Sequence, residues 1–239
     1  MSNLKRKITI VGAGIMGISS ALNLIRRGCN VTIIEKEIDG EPASFGNASW
    51  LSAPSITPVL TPGAIYKIPK MLFSSNGPLF LRFPGVIKIL PWLLKYLTYS
   101  TEKKVNHIAK HLEPLLRNSI EEHKKLADGT KALRWIKEAP YLYLYKNQQD
   151  YKKDSFIWNI RKNYGFNLIE VQSDELHELV PGLSEEYTFA IKIENQGYIL
   201  NSKNYLKDLL EGFKELGLSL IHISEPTRLL SISYAVFCL

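Results

Sequence analysis

Three glycines and one acid offer the first chemistry in this sequence. Gly12, Gly14 and Gly17 stand in G-x-G-x-x-G spacing within GAGIMG, and Glu35 follows Gly17 by 18 residues. Each meets a separate need of a dinucleotide. Gly12 permits a tight turn out of a strand. Gly14 lets the backbone of the turn, with Ala13, Ile15 and Met16, come close to a pyrophosphate at a helix N-terminus, where the dipole favours negative charge. Gly17 lets the helix lie close to the strand. Glu35 can accept hydrogen bonds from ribose hydroxyls, and a carboxylate there disfavours the 2′-phosphate of NADP. A bare βα turn has no need of all four. The motif by itself leaves NAD and FAD open.

The elements that must hold these residues are legible around them. KITIV, Lys7 to Val11, reads as a buried parallel strand. Ile15, Ile18, Ala21, Leu22 and Ile25 recur at helical spacing up to Gly28, and NVTII, Asn30 to Ile34, is a second strand delivering Glu35. The loop Glu41 to Pro54, EPASFGNASWLSAP, is polar and built of small residues. It can reach back over a bound cofactor or serve as a plain surface connection.

Bulk composition narrows the classes. The chain has 239 residues, 45% hydrophobic and 22% charged, with a formal net charge of +7. These are values of a globular protein. The positive excess suits phosphate-bearing cofactors, carboxylate substrates or an anionic membrane face. It forms no Arg-rich stripe or zinc-finger spacing, so no nucleic-acid partner is expected. Two cysteines, Cys29 and Cys238, make no disulfide framework. Lys5, Arg6 and Lys7 lead into too short an apolar run for a secretory signal. The expected place is the cytoplasm, with Cys29 a small buried or half-buried apolar residue.

GAGIMG, IIEK, ASFGNAS and the run PGAIYKIPKMLFSSNGPLFLRFPGVIKILPWLLKYL together resemble the FAD-dependent D-amino-acid oxidase (glycine-oxidase-like) family, nearest the D-amino-acid dehydrogenase group. The resemblance runs from Lys7 to about Gly217. It implies an α/β fold: a Rossmann-like FAD-binding domain with an inserted α+β substrate domain, truncated at the C-terminus. Residues 1–54 would be the first FAD-binding segment, 55–194 a partial cap, and 195–217 a helix returning to the FAD domain. It implies that Ser44, Asn47 and Ala48 lie on the flavin side and Lys36, beside Glu35, near the adenosine. The family usually has Gly where this chain has Ser49, and a Pro before the returning helix where this chain offers Ser202 as an N-cap.

The implied chemistry is hydride transfer from an amino-acid Cα to flavin N5, giving an imino acid that hydrolyses to a keto acid and ammonia. The electron acceptor would be a quinone pool or oxygen. The groups holding substrate would lie largely in a missing C-terminal half, so no catalytic residue is named. Three alternatives stay open: a sarcosine, glycine or hydroxyproline oxidase or dehydrogenase; an NAD-dependent dehydrogenase; and a non-catalytic nucleotide-binding protein.

In the middle of the chain, FLRFPGVIKILPWLLKYLTY, Phe80 to Tyr99, is broken by Arg82, Pro84, Lys88, Pro91 and Lys95 and cannot span a bilayer. It reads as cap helices, or as an interfacial segment with Trp92, Tyr96 and Tyr99 at a membrane surface. Thr101 to Asp128 is helical with a break at Pro114. His107 and His111 share a face there but lack further ligands, so no metal site is expected. YLYLYK, Tyr141 to Lys146, reads as a strand whose tyrosines line a pocket or pack one face. Asp150 to Tyr164 reads as one helix, Asn167 to Val171 and Phe189 to Ile193 as strands. Ser173 caps a short helix with His177 on its surface. Ser202 to Leu216 is an amphipathic helix.

Leu218 to Leu239 is different. LSLIHISEPTR resembles one frame of a transposase-type sequencing adapter, and ISYAVFCL the same frame of its flow-cell end. Leu229, Leu230 and Ser231 fit the index between them. The expectation is that 218–239 is not native.

Overall fold

The computed structural model describes residues 6–36, 43–63, 83–216 and 219–222. Its contacts divide the chain into two units. Unit 1 takes 1–51, 120–138 and 197–239, and unit 2 takes 52–119 and 139–196. The segment 120–138, assigned from sequence to the inserted domain, thus packs in unit 1. Its apolar Ile120, Leu126, Ala127 and Ala132 share a core with Ile18, Leu22 and Leu209.

Unit 1 opens with β1 (Lys7–Val11), α1 (Ile15–Arg26) and β2 (Asn30–Glu35). β1 and β2 pair in parallel from Lys7 opposite Asn30 to Val11 opposite Ile34. Among the described residues β1 has no other strand beside it, so it is half exposed rather than buried, and Val11 is 84% exposed. β3 (Trp50–Leu51), β4 (Ile136–Glu138) and β8 (Gly197–Ile199) form an antiparallel sheet in the order β3-β8-β4. Gly197 is required at its centre: a Cβ there would meet Lys137 O at 2.7 Å.

The last helix of unit 1, α8 (Ser202–Glu215), buries Tyr205, Leu206, Leu209 and Phe213. Each such side chain contributes on the order of 2 kcal/mol of burial. Its N-cap is Asn201, whose side chain accepts from Asn204 N at 2.9 Å, not Ser202. Ser202 is one residue too far into the helix, and its hydroxyl donates instead to Phe45 O at 3.1 Å. After α8, β9 (Ser219–His222) pairs in parallel with β2. These four residues, excluded from the fold on the sequence reading, therefore do occupy a strand position. Ladder bonds join backbone groups, so a short alternating segment can fill that edge whatever its origin. Residues 223–239 lie outside the described residues.

Unit 2 holds α2 (Phe83–Leu97), α3 (Glu102–Leu116), β5 (Tyr141–Tyr145), α5 (Gln148–Lys153), α6 (Ser155–Asn163), β6 (Ile169–Gln172), α7 (Ser173–Leu179) and β7 (Phe189–Ile193). α4 (Ser119–Ala127) starts at its end and runs into unit 1. Pro114 sits within α3, and the helical stretch divides shortly after it, at Arg117. β5 and β6 flank β7 antiparallel. The single helix expected over 150–164 is two, divided at Asp154. α7 is capped at Gln172 rather than Ser173, and His177 is half-buried rather than at the surface, with Nε2 enclosed and without a hydrogen bond.

Candidate functional site

The glycine turn has the shape an anion needs. Gly12 has φ +100°, a region that costs most side chains dearly, and its N–H donates to Ile34 O at 2.8 Å. A Cβ on Gly17 would lie 1.9 Å from Gly12 O, so only glycine lets α1 lie this close to the turn. Gly14 is the N-cap of α1 and supplies no side-chain cap. The first-turn N–H groups of α1 direct their positive field at the turn, where Ile15 N meets the Ser44 hydroxyl. Open space surrounds the Cβ position of Gly12, and Val11 and Met16, at 76% exposed, leave an apolar margin uncovered.

Glu35 sits against this turn. Its carboxylate accepts from Ala13 N at 2.5 Å and from Lys36 N at 2.8 Å. These bonds fix its rotamer at the end of β2. Lys36 is exposed beside it, and Ile15 is half-buried against the core.

The loop after β2 begins at the same turn. Ser44 Oγ accepts from Ile15 N at 3.3 Å and lies over Gly14. Asn47 Oδ1 accepts from Ser49 N at 2.8 Å and from Ser49 Oγ at 2.9 Å. That closed turn holds Ser49 at φ +57°, the conformation for which glycine would be the easy choice. Ser49 O in turn accepts from Ile199 N at 2.8 Å, which ties the loop to β8.

Between residues 45–49 and 198–203 lies an open cleft of about 780 Å³. Asn47 and Ala48 line it, and Ser44 is next to it in sequence. Lys203 is a cation on its wall, with Nζ 5.6 Å from the Phe45 ring centre. The structure therefore brings Gly12, Ala13, Gly14, Gly17, Glu35 and Ser44 to one turn, and Asn47 and Ala48 to one cleft. Met16 turns outward. The far wall, Tyr198 to Lys203, was missed from sequence. Its signal was the strand alternation of Gly197–Ile199, too short to stand out within NQGYILN.

The tyrosines of β5 pack on aromatic side chains of their own unit. Tyr143 and Tyr145 pack edge-on to Trp158 within unit 2. Tyr145 accepts from Trp158 Nε1 at 2.8 Å and donates to Asp154 at 3.2 Å, and burial pushes its hydroxyl up to about 12. Arg161 is buried beside them, its guanidinium over Tyr143 and Trp158 and its Nε donating to Pro54 O at 3.0 Å. Desolvation lowers its pKa. Among the described residues no cluster of His, Cys, Asp and Glu could hold a metal.

The model of the FAD dependent oxidoreductase family matches residues 7–233. The chain is 35% identical to a D-amino-acid oxidase of Bradyrhizobium diazoefficiens over 198 residues, 80% of this chain and 46% of that protein. It is 30% identical to a D-amino acid dehydrogenase of Helicobacter pylori over 151 residues, 63% of this chain and 36% of the relative. Among solved structures, L-proline dehydrogenase from P. horikoshii has TM-score 0.57 at 19% identity, over 91% of this chain and 44% of that one, a likeness of fold. The chain spans about half the length of these relatives or less. Matched by this family model over residues 7–233, the chain belongs to the FAD dependent oxidoreductase family.

Proposed function

We propose that the protein oxidises an amino acid, in the first place a D-amino acid, with FAD as its oxidant. The observation that carries this reading is the continuous path from the α1 N-terminus through Ser44 to the cleft at Asn47 and Ala48. The backbone of Gly12 to Gly17 and the Ser44 hydroxyl would hold the pyrophosphate. Glu35 would accept from the adenosine ribose, with Lys36 beside it, and Asn47 and Ala48 would border the flavin. FAD, when bound, takes the hydride equivalent released from the substrate Cα. The nitrogen loses a proton as the C=N bond forms, and water then converts the imine to a keto acid and ammonia. This chain's own part would be to hold the cofactor through the glycine turn, Glu35 and Ser44, with Asn47 and Ala48 bordering the flavin.

The relatives named as D-amino-acid oxidase and D-amino acid dehydrogenase favour this substrate class. The likeness to a proline dehydrogenase keeps secondary amines as a second reading. Oxygen or a quinone would receive the electrons, the latter at the inner membrane face, from a cytoplasmic position. No described helix is long and apolar enough to cross a membrane. The test is turnover of paired D- and L-amino acids, sarcosine and hydroxyproline by the full-length protein, each with oxygen and with a soluble quinone. Release of keto acid and ammonia from D-amino acids supports the proposal. Turnover confined to secondary amines replaces it with the second reading.

We also infer that residues 218–239 derive from adapter DNA, on the strength of two matches in one frame at the right separation. Sequencing the source DNA past the codon for Gly217 decides it. A frame that continues into other residues bears the inference out, and one that ends in ISYAVFCL overturns it.

A further inference from the structure

Lys203 stands where helix formation alone would not place it. It is the second residue of α8, in the first turn, where the helix dipole already presents positive charge and disfavours a cation. No acidic residue in that turn offsets it. Two contacts to the loop across the cleft fix where the charge is held. The Ser202 hydroxyl donates to Phe45 O at 3.1 Å, and Lys203 Nζ lies 5.6 Å from the centre of the Phe45 ring. The ammonium is thus drawn to the side of the cleft that Asn47 and Ala48 also line. Among the described residues that line this cleft Lys203 alone is charged, and the others are apolar or carry neutral amide and hydroxyl groups. The lining therefore brings positive charge to the cleft and no negative charge of its own.

A flavin ring bordering this cleft changes charge during the reaction. The oxidised ring is neutral. A hydride from the substrate Cα brings it two electrons and one proton, so the ring gains one negative charge while the substrate is left with its C=N bond. A cation held in place beforehand favours the form in which that negative charge has developed. Lys203 is exposed to solvent, so its influence acts through a high dielectric and is moderate in size.

We propose that Lys203 raises the reduction potential of the bound flavin, favouring the reduced ring and with it the oxidation of the substrate. The proposal rests on the cofactor placement above and not on which amino acid is oxidised. The full-length protein carrying FAD is compared with Lys203→Met and Lys203→Arg. The potential is read without oxygen against indicator dyes. Sulfite, which adds to oxidised flavin and leaves negative charge on the ring, is titrated as a probe that needs no amino acid. Lys203→Met should lower the equilibrium constant for reduction roughly three- to tenfold, a fall of about 15–30 mV for a two-electron couple, and weaken sulfite binding by a similar factor. Lys203→Arg should keep both near their native values. The difference should shrink as salt is raised, since an exposed charge is screened. An unchanged potential and sulfite affinity in Lys203→Met overturns the proposal, even where D-amino acids are still oxidised. So does a shift that Lys203→Arg shares or that salt leaves untouched, because shape and not charge would then be acting. A flavin that shifts as expected in a protein that oxidises no amino acid supports the proposal and removes only the substrate reading.

Discussion

Ser49 holds a left-handed backbone without being glycine, and the reason is its neighbour. The Asn47 side chain accepts both the N–H and the hydroxyl of Ser49, so a conformation that costs about 1 kcal/mol is met by a local turn. Asn47→Ala should therefore lower stability by about 1 kcal/mol. Ser49→Gly should restore much of this in the Asn47→Ala background and little in the native one. Urea melts of the four proteins check it, and equal effects in both backgrounds would contradict it. The family resemblance marked Ser49 as a departure from a glycine position. Its conformation was hidden, because it depends on a hydrogen bond that composition does not show. His123 makes a second residue-scale case. Its Nδ1 lies 2.9 Å from the Tyr205 hydroxyl, and burial lowers its pKa from 6.5. The folded state thus prefers neutral His123, and its contribution is complete above the unfolded value and is lost as pH falls from there toward the depressed folded value. His123→Gln should flatten the fall in melting temperature between roughly pH 7 and pH 5. An unchanged slope would remove His123 from the account.

At the scale of elements, the βαβ unit was fully legible because each boundary has a chemical marker: β-branched strands, glycines at the turn, Gly28 after the helix. The sheet β3-β8-β4 was not. Its strands are two or three residues long and come from distant parts of the chain, so no period could reveal them. The end of α8 nearest the cleft was misread for a similar reason, since Asn201 and Ser202 are both good caps and only the Phe45 contact decides between them. Further along α8, Gly212 marks a close approach. A Cβ there would lie 2.5 Å from the Thr130 methyl group and 3.0 Å from Thr130 Cβ. Gly212→Ala should cost about 1–3 kcal/mol by overpacking, and Thr130→Ser, which removes the nearer methyl, should recover part of it. Thermal unfolding of the single and double variants measures this. Full additivity of the two changes would show that they do not touch.

For the whole molecule, the sequence did not reveal that residues 120–138 pack in unit 1, because amphipathic helix and strand patterns do not say which core they join. The first sheet stops at β1 among the described residues, and Val11 and Met16 stay uncovered beside the glycine turn. The 239-residue chain expressed by itself should accordingly bind FAD weakly and show no turnover, with the exposed strand edge favouring association. Tight, stoichiometric FAD on this chain would contradict that. The most direct test of the central claim uses the full-length protein, mixed without oxygen with D- and then L-forms of the same amino acids while its visible flavin absorbance is followed. The account predicts a flavin spectrum on the purified protein, bleached by D-amino acids with release of the keto acid. A colourless protein, or a flavin that no amino acid bleaches, would contradict it.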